Sequence, residues 1–410
     1  MSLKDWDRLV DSNNEEAPLS RRRFLASTTA GVASALLTTQ ATADTLADVP
    51  PREVGAVLSG HGERSKFAHL AMLPEAGPGM RNVDPSAAIN SKAPLGKLVG
   101  TITPTDLHYE RSHSGNPDLD PAKHRLLVHG MTRKQLVFTV DDLMRMPSIT
   151  RTVFIECTGN GWENWKKADP NVTVQNTHGL VSTNEWTGVP LRFLIDLVGK
   201  DRRSTWMLAE GADAAGVDRS IPLTEEIVYE AFIAYGQNGE PLRPAHGFPI
   251  RLITPGLEGN LNIKWLRRLK FGDQPWMTRW ETDRYTQLLA NGKAMQFQLR
   301  METNSVITSP SGMMEIRPGY QRLTGLAWSG HGKISKGRSQ HGRGQDLAPG
   351  AVARPGRSAL LALVGTSLAH PGPRRPLYPH GPGDGCTRRN ASDRTRSAPR
   401  HLHDQPHSTN

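Results

Sequence analysis

The stretch Val153-Phe154-Ile155-Glu156-Cys157-Thr158-Gly159-Asn160-Gly161 constrains this chain more than any other. Three apolar residues lead toward a cysteine. The run then breaks at once into Thr-Gly-Asn-Gly, where glycine and asparagine accept φ > 0. This pattern predicts a strand that delivers one thiol to its end, beside the backbone N–H groups of a tight loop. Cys157 has two readings. It closes a core strand as a small hydrophobe, or it is a thiolate ligand for a soft metal centre.

Composition narrows the field. A chain of 410 residues has room for two or three domains with a sizeable core. A formal charge of +10 suggests a polyanionic partner. However, residues 337–410 hold eleven Arg and four Asp with neither Lys nor Glu, so +7 of that charge sits in the tail. No nucleic-acid partner is therefore expected. The two cysteines, Cys157 and Cys386, exclude a disulfide framework, and no Cys-x-x-Cys-His is present to attach a c-type haem to this chain.

The N-terminal segment reads as an address. Ser20-Arg21-Arg22-Arg23-Phe24-Leu25 precedes a mildly apolar run over residues 26–37, too short to span a bilayer, and Ala41-Thr42-Ala43 offers small residues for cleavage. Residues 1–43 look like a twin-arginine signal, which implies periplasmic export in the folded state. Residues 44–95, rich in Pro, Gly, Ala and Ser, read as a loosely ordered arm.

From Gly96 the pattern is mixed. Strands are expected at 125–130, 136–139, 206–209, 233–235 and 250–253, with a hairpin turn at Asn238-Gly239. Thr139-Val-Asp-Asp142 resembles a capping box before a short helix. A longer helix is expected over 189–200, with Pro190 early and apolar residues at 191, 194, 195 and 198. Strands and helices interleave without a regular βαβ period, and no Gly-x-Gly-x-x-Gly follows a strand. An α+β fold is therefore expected.

Polar and basic residues recur at segment ends: Arg111 and His113, then His246 and Arg251, then Lys264. Each alone fits a solvated side chain. Together they could surround an anionic cofactor, since Arg grips phosphate bidentately and Lys as a point charge.

Cys157-Thr-Gly-Asn, His246-Gly-Phe-Pro-Ile-Arg251 and Asn262-Ile-Lys-Trp-Leu266 resemble three signatures of the sulfite oxidase family of molybdenum enzymes, in order and at compatible spacing. The similarity runs from about residue 96 to 336, and is closest to the molybdenum subunits of bacterial sulfane dehydrogenases. The resemblance implies a molybdopterin-binding domain at 96–290, with a single cysteine thiolate, Cys157, joining a pterin dithiolene at molybdenum. It further implies that Arg111, Ser112, His113, Asp213, His246, Arg251, Asn262, Ile263 and Lys264 bind the cofactor. Tyr235 would act near the metal, and Arg111 would also meet the substrate anion.

The activity implied is oxidation of a sulfur substrate, with electrons passed singly to a cytochrome c on another chain. Sulfite oxidases carry an arginine five residues after the ligand cysteine, where this chain has Trp162. Loss of that cation favours sulfane sulfur on a carrier protein, while a sulfite dehydrogenase acting on free sulfite is the alternative. Residues 291–336 resemble the opening strands of an immunoglobulin-like dimerisation domain, which would make a homodimer. Residues 337–410 hold nine Pro and ten Gly with no Phe, Trp or Lys, and are expected to be disordered. That abrupt change is the pattern of a shifted reading frame or of a disordered extension, and an inactive truncated homologue is a third reading.

Overall fold

The computed structural model describes residues 70–76, 88–165, 171–316 and 319–335, with residues 65, 68 and 169 and strands at 338–340, 347–349, 351–352 and 361–370. The chain divides into two units, Met1–Ala68 and His69–Asn410, and the described sheets and helices lie in the second. The expected signal at 1–43 and the segment 371–410 lie outside the described residues.

Two five-stranded sheets form the body. In the first, Ile149–Glu156 pairs antiparallel with Val181–Pro190, which pairs with Phe232–Gln237. Glu240–Pro241 and Arg251–Ile253 both add to Phe232–Gln237. In the second the order is Leu136–Thr139, Arg125–Gly130, Leu266–Gly272, Trp206–Gly211 and Asp218–Pro222. There Arg125–Gly130 runs parallel to Leu266–Gly272, and the other neighbours are antiparallel. The α+β expectation holds, with short helices and a body that is richer in sheet than in helix.

Local chemistry explains the elements the sequence announced. Thr139 accepts a hydrogen bond from the Asp142 N–H while the Asp142 carboxylate accepts from Thr139, a complete capping box on helix Val140–Met144. The helix expected over 189–200 spans only Leu191–Val198, because Val189 and Pro190 finish the strand before it. Its apolar residues 191, 194, 195 and 198 are all buried, and Gly199 stops it at φ +62°.

Two apolar clusters hold the sheets. One gathers Leu126, Leu191, Leu194, Met207, Ile233 and Leu269; the other gathers Phe154, Trp186, Phe232, Val306 and Trp328. The second cluster shares residues with the C-terminal strand module, in which Asn304–Ser309 pairs antiparallel with Gly319–Trp328.

Two expectations need correction. Part of the supposed arm is strand: Leu73–Ala76 and Ile89–Lys92 form a three-stranded antiparallel sheet with Glu110–Ser112 of the following domain. The sequence Ile-Asn-Ser-Lys hides this, since Lys92 is buried with its Nζ donating to the Asn176 carbonyl at 2.6 Å. The tail expected to be disordered from 337 contains Leu361–His370, which pairs antiparallel along Gly319–Trp328. That strand gives an otherwise open edge its partner.

A buried ion cluster braces this body. The Arg219 side chain has no exposure, and its Nε and Nη2 donate to Glu281 at 2.8 and 3.2 Å. The Glu258 carboxylate lies 3.7 Å from Nη1. Removing one partner of such a cluster strands the others. Arg219→Ala should cost about 3–5 kcal/mol of unfolding free energy by urea denaturation. Arg219→Met with Glu281→Gln, which removes both charges, should cost less than the single change.

Candidate functional site

Strand Ile149–Glu156 ends at Cys157, whose N–H donates to the Leu180 carbonyl at 3.0 Å and whose carbonyl accepts from Asn160 at 2.9 Å. Gly161 completes the turn at φ +83°. The Cys157 residue is half-buried, and it opens into a cavity shared with Tyr109, Arg111, Ser112, His113, Asp213, Arg251, Lys264 and Tyr285. Burial pushes the Cys157 pKa up, and the Arg111 guanidinium pulls against that shift. A Cβ on Gly259, which lines the same cavity, would stand 2.6 Å from the Glu156 carbonyl and 2.8 Å from the Tyr109 hydroxyl. Only glycine fits there.

The walls are cationic. Arg251 is buried; its Nη1 donates to the His246 carbonyl and its Nη2 to the Asn262 carbonyl, each at 2.8 Å. Lys264 donates from Nζ to the Ala245 carbonyl at 2.8 Å and stands 4.2 Å above the Trp265 ring. Arg111 enters from strand Glu110–Ser112, donating to the Ser112 carbonyl and, over 3.2 Å, to His113 Nδ1. These charges face one another under cover. Burial, then Arg251, lowers Lys264 to about 7. Burial brings Arg251 to about 10 against the opposing pull of Tyr109. Burial, then Arg111, holds His113 at about 2, so its ring is neutral and accepts at Nδ1.

Two cavity donors lack a partner among the described residues. Ser112 Oγ and Arg251 Nε are buried with no hydrogen bond. Unpaired donors beside crowded cations are what a bound phosphate would satisfy. Among the described residues no three His, Cys, Asp or Glu side chains converge on a common point. A metal held by Cys157 would draw its other donors from a ligand, as a pterin dithiolene provides. The residues present fit molybdopterin.

The oxidoreductase molybdopterin binding domain matches residues 113–280. The sulfane dehydrogenase SoxCD from Paracoccus pantotrophus superposes with a TM-score of 0.72 at 33% identity, covering 79% of this chain and 84% of that one. This chain belongs to the sulfite oxidase family of molybdopterin oxidoreductases. Mitochondrial sulfite oxidase of Rattus norvegicus is 29% identical over 272 residues, 61% of this chain and 50% of that protein. The NADH nitrate reductase of Solanum lycopersicum is 32% identical over 283 residues, 60% of this chain and 30% of that one. The chain thus spans half the length of the sulfite oxidases it matches.

Within this family member the structure brings most expected residues together. Cys157, Arg111, Ser112, His113, Asp213, Arg251, Asn262, Ile263 and Lys264 all line the cavity. Asn262 does so as a brace, its side chain bridging Thr254 N and the Glu258 carbonyl. His246 stands one layer back, its Nδ1 2.8 Å from Gln237 Oε1 and its ring 4.7 Å from that of His108. Burial, then Lys264, lowers it to about 3.

Tyr235 is not brought to the cavity. It falls at a bulge where Ala234 pairs Gly188 and Gly236 pairs Thr187, and it packs on the first apolar cluster. A tyrosine that does line the cavity is Tyr285, whose pKa is pushed well above the usual phenol range by burial and next by Cys157. Tyr285 follows the turn Trp280–Arg284, which carries no motif, so nothing in the sequence marked it. Trp162 lies on the turn Trp162–Trp165, outside the cavity lining, with 44% of its surface exposed.

The Lys264 shift has a measurable consequence. Its pKa lies near 7 folded and near 10.5 unfolded, so between those values the unfolded chain binds the extra proton. Stability of cofactor-free protein should therefore rise between pH 7 and 9, by at most about 1.4 kcal/mol per pH unit from this group. Lys264→Met should flatten that slope in urea titrations, and so should an anion that keeps the lysine charged.

Proposed function

We propose that this protein is a periplasmic dehydrogenase that oxidises sulfane sulfur carried on a partner protein and passes electrons to a cytochrome c. The observation that carries the reading is the convergence of the Cys157 thiol with Arg111, Arg251 and Lys264 in one cavity. Molybdopterin, bound through Cys157, would supply two-electron redox chemistry at sulfur. Arg251 and Lys264 would hold its phosphate, with Ser112, His113, Asp213, Asn262 and Ile263 around the pterin. Arg111, on the Cys157 side, would bind the anionic end of the substrate and stabilise negative charge that develops there. Tyr285, a protonated phenol in the same cavity, would donate a hydrogen bond to the reacting oxygen.

Trp162 supports a carrier-bound substrate. The bidentate cation of sulfite-specific relatives is replaced by an exposed indole five residues after Cys157. A lost charge-assisted pair of hydrogen bonds forfeits roughly 2–4 kcal/mol, about 30- to 1000-fold in binding. A polypeptide arm can recover this through contact with Trp162 and Trp165. The strand module from Asn304 onward is read as the opening of an immunoglobulin-like dimerisation domain, and the exported form as lacking residues 1–43.

Two measurements test the proposal. Protein from a host that makes the cofactor should hold about one molybdenum per chain, as one thiolate ligand implies, and Cys157→Ser should lose turnover while keeping its fold. Retained turnover would remove Cys157 from the site. With metal content matched, Trp162→Arg should improve oxidation of free sulfite and impair that of carrier-bound sulfane sulfur. Equal sulfite rates in the two proteins would favour a sulfite dehydrogenase instead.

A further inference from the structure

Glu156, the residue before Cys157, is a buried carboxylate whose hydrogen-bond donors are neutral. Its Oε1 accepts from Asn160 Nδ2 at 2.9 Å, and its Oε2 accepts from the indole Nε1 of Trp328. Asn160 closes the loop: its N–H donates to the Cys157 carbonyl at 2.9 Å, and its Oδ1 accepts from the Leu180 N–H at 3.0 Å. Leu180 in turn accepts the Cys157 N–H at 3.0 Å. The backbone of Cys157 is therefore held on both sides by groups that Glu156 organises.

Trp328 comes from elsewhere. It ends strand Gly319–Trp328 of the C-terminal strand module, 172 residues from Glu156, and has no exposed surface. A buried carboxylate requires donors, and beside Asn160 of the cysteine loop this module supplies the Trp328 indole from outside it. The side chain of Asn304, which pairs with Trp328 across the two strands, also hydrogen-bonds to Glu156. The two modules touch by backbone nearby as well, with the Met301 N–H donating to the Gly256 carbonyl at 3.1 Å.

We propose that Trp328 is a positioning residue for the metal site: through Glu156 it fixes the loop that aims the Cys157 thiol, so the C-terminal strand module sets the geometry of the ligand. This rests on the reading of Cys157 as the metal ligand. The indole lies outside the cavity lining. A ligand displaced by a fraction of an ångström alters the metal's electronic environment and the rate, while substrate binding through Arg111 stays as it was.

The test compares wild type, Trp328→Phe, Glu156→Gln and the double variant, each purified from a host that makes the molybdenum cofactor. Molybdenum content, the paramagnetic resonance spectrum of the bound metal, and kcat and KM are read for each. Trp328→Phe keeps most of the packing and loses the donor. It should bind molybdenum, show a shifted or broadened spectrum, and lose about tenfold in kcat with KM unchanged. If Trp328 acts through Glu156, the double variant is no worse than the worse single variant; if it only packs, the two losses multiply. A wild-type spectrum and kcat in Trp328→Phe, or multiplying losses, overturns the proposal. Should Trp328→Phe not accumulate as folded protein, Glu156→Gln alone must show the altered spectrum, and a wild-type spectrum there overturns it equally. Wild type that takes up no molybdenum in that host overturns the reading of Cys157 itself, and the positioning role falls with it.

Discussion

The site depends on cations held against one another beneath the surface. Arg251 and Lys264 lie close enough for Arg251 to weaken the hold of Lys264 on its proton, and Arg111 adds to the field. Such an arrangement is costly in a protein without a counter-ion. The backbone carbonyls of Ala245, His246 and Asn262 offset part of that cost, and they come from the two loops that flank strand Arg251–Ile253. Asp213 in the lining and Glu110 nearby pull Lys264 the other way, and a bound anion would offset the rest.

The sheets exist to keep that cavity open and aligned. Strand Ile149–Glu156 aims the thiol, and strand Glu110–Ser112 brings Arg111 to the same cavity. Strand Arg251–Ile253 is pinned to Phe232–Gln237, so the guanidinium at its start cannot swing away. Tyr285 is backed by Arg219, whose guanidinium lies 4.5 Å over its ring and is itself clasped by Glu281. The strands that carry the thiol and Arg251 also place Phe154 and Ile253 in one apolar cluster. Rigid support of this kind makes geometry reproducible from one turnover to the next.

The sheet that joins Leu361–His370 to Gly319–Trp328 adds a wider dependence. Trp328 lies in the same apolar cluster as Phe154 and Trp186, on the strands beside the thiol. The C-terminal module therefore shares a core with the domain that carries the site. Changes in that module can reach the cysteine loop without entering the cavity.

What the sequence determined by itself was local chemistry and motif. The capping box at Thr139 and Asp142, the strand into Cys157, the turn closed by Gly161, and the basic residues at 111, 251 and 264 were all legible, because each is set by neighbours within a few positions. Strand Ile89–Lys92 was not, since a buried lysine and two small polar residues mask it. Tyr235 and Tyr285 could not be told apart in sequence: both are tyrosines near segment ends, and only folding shows one at a bulge against the core and the other lining the thiol's cavity. The pairing of Glu156 with Trp328 was likewise invisible. A buried carboxylate must find a donor, but sequence names the need and not the partner, and only the tertiary fold brings that indole across 172 residues of chain.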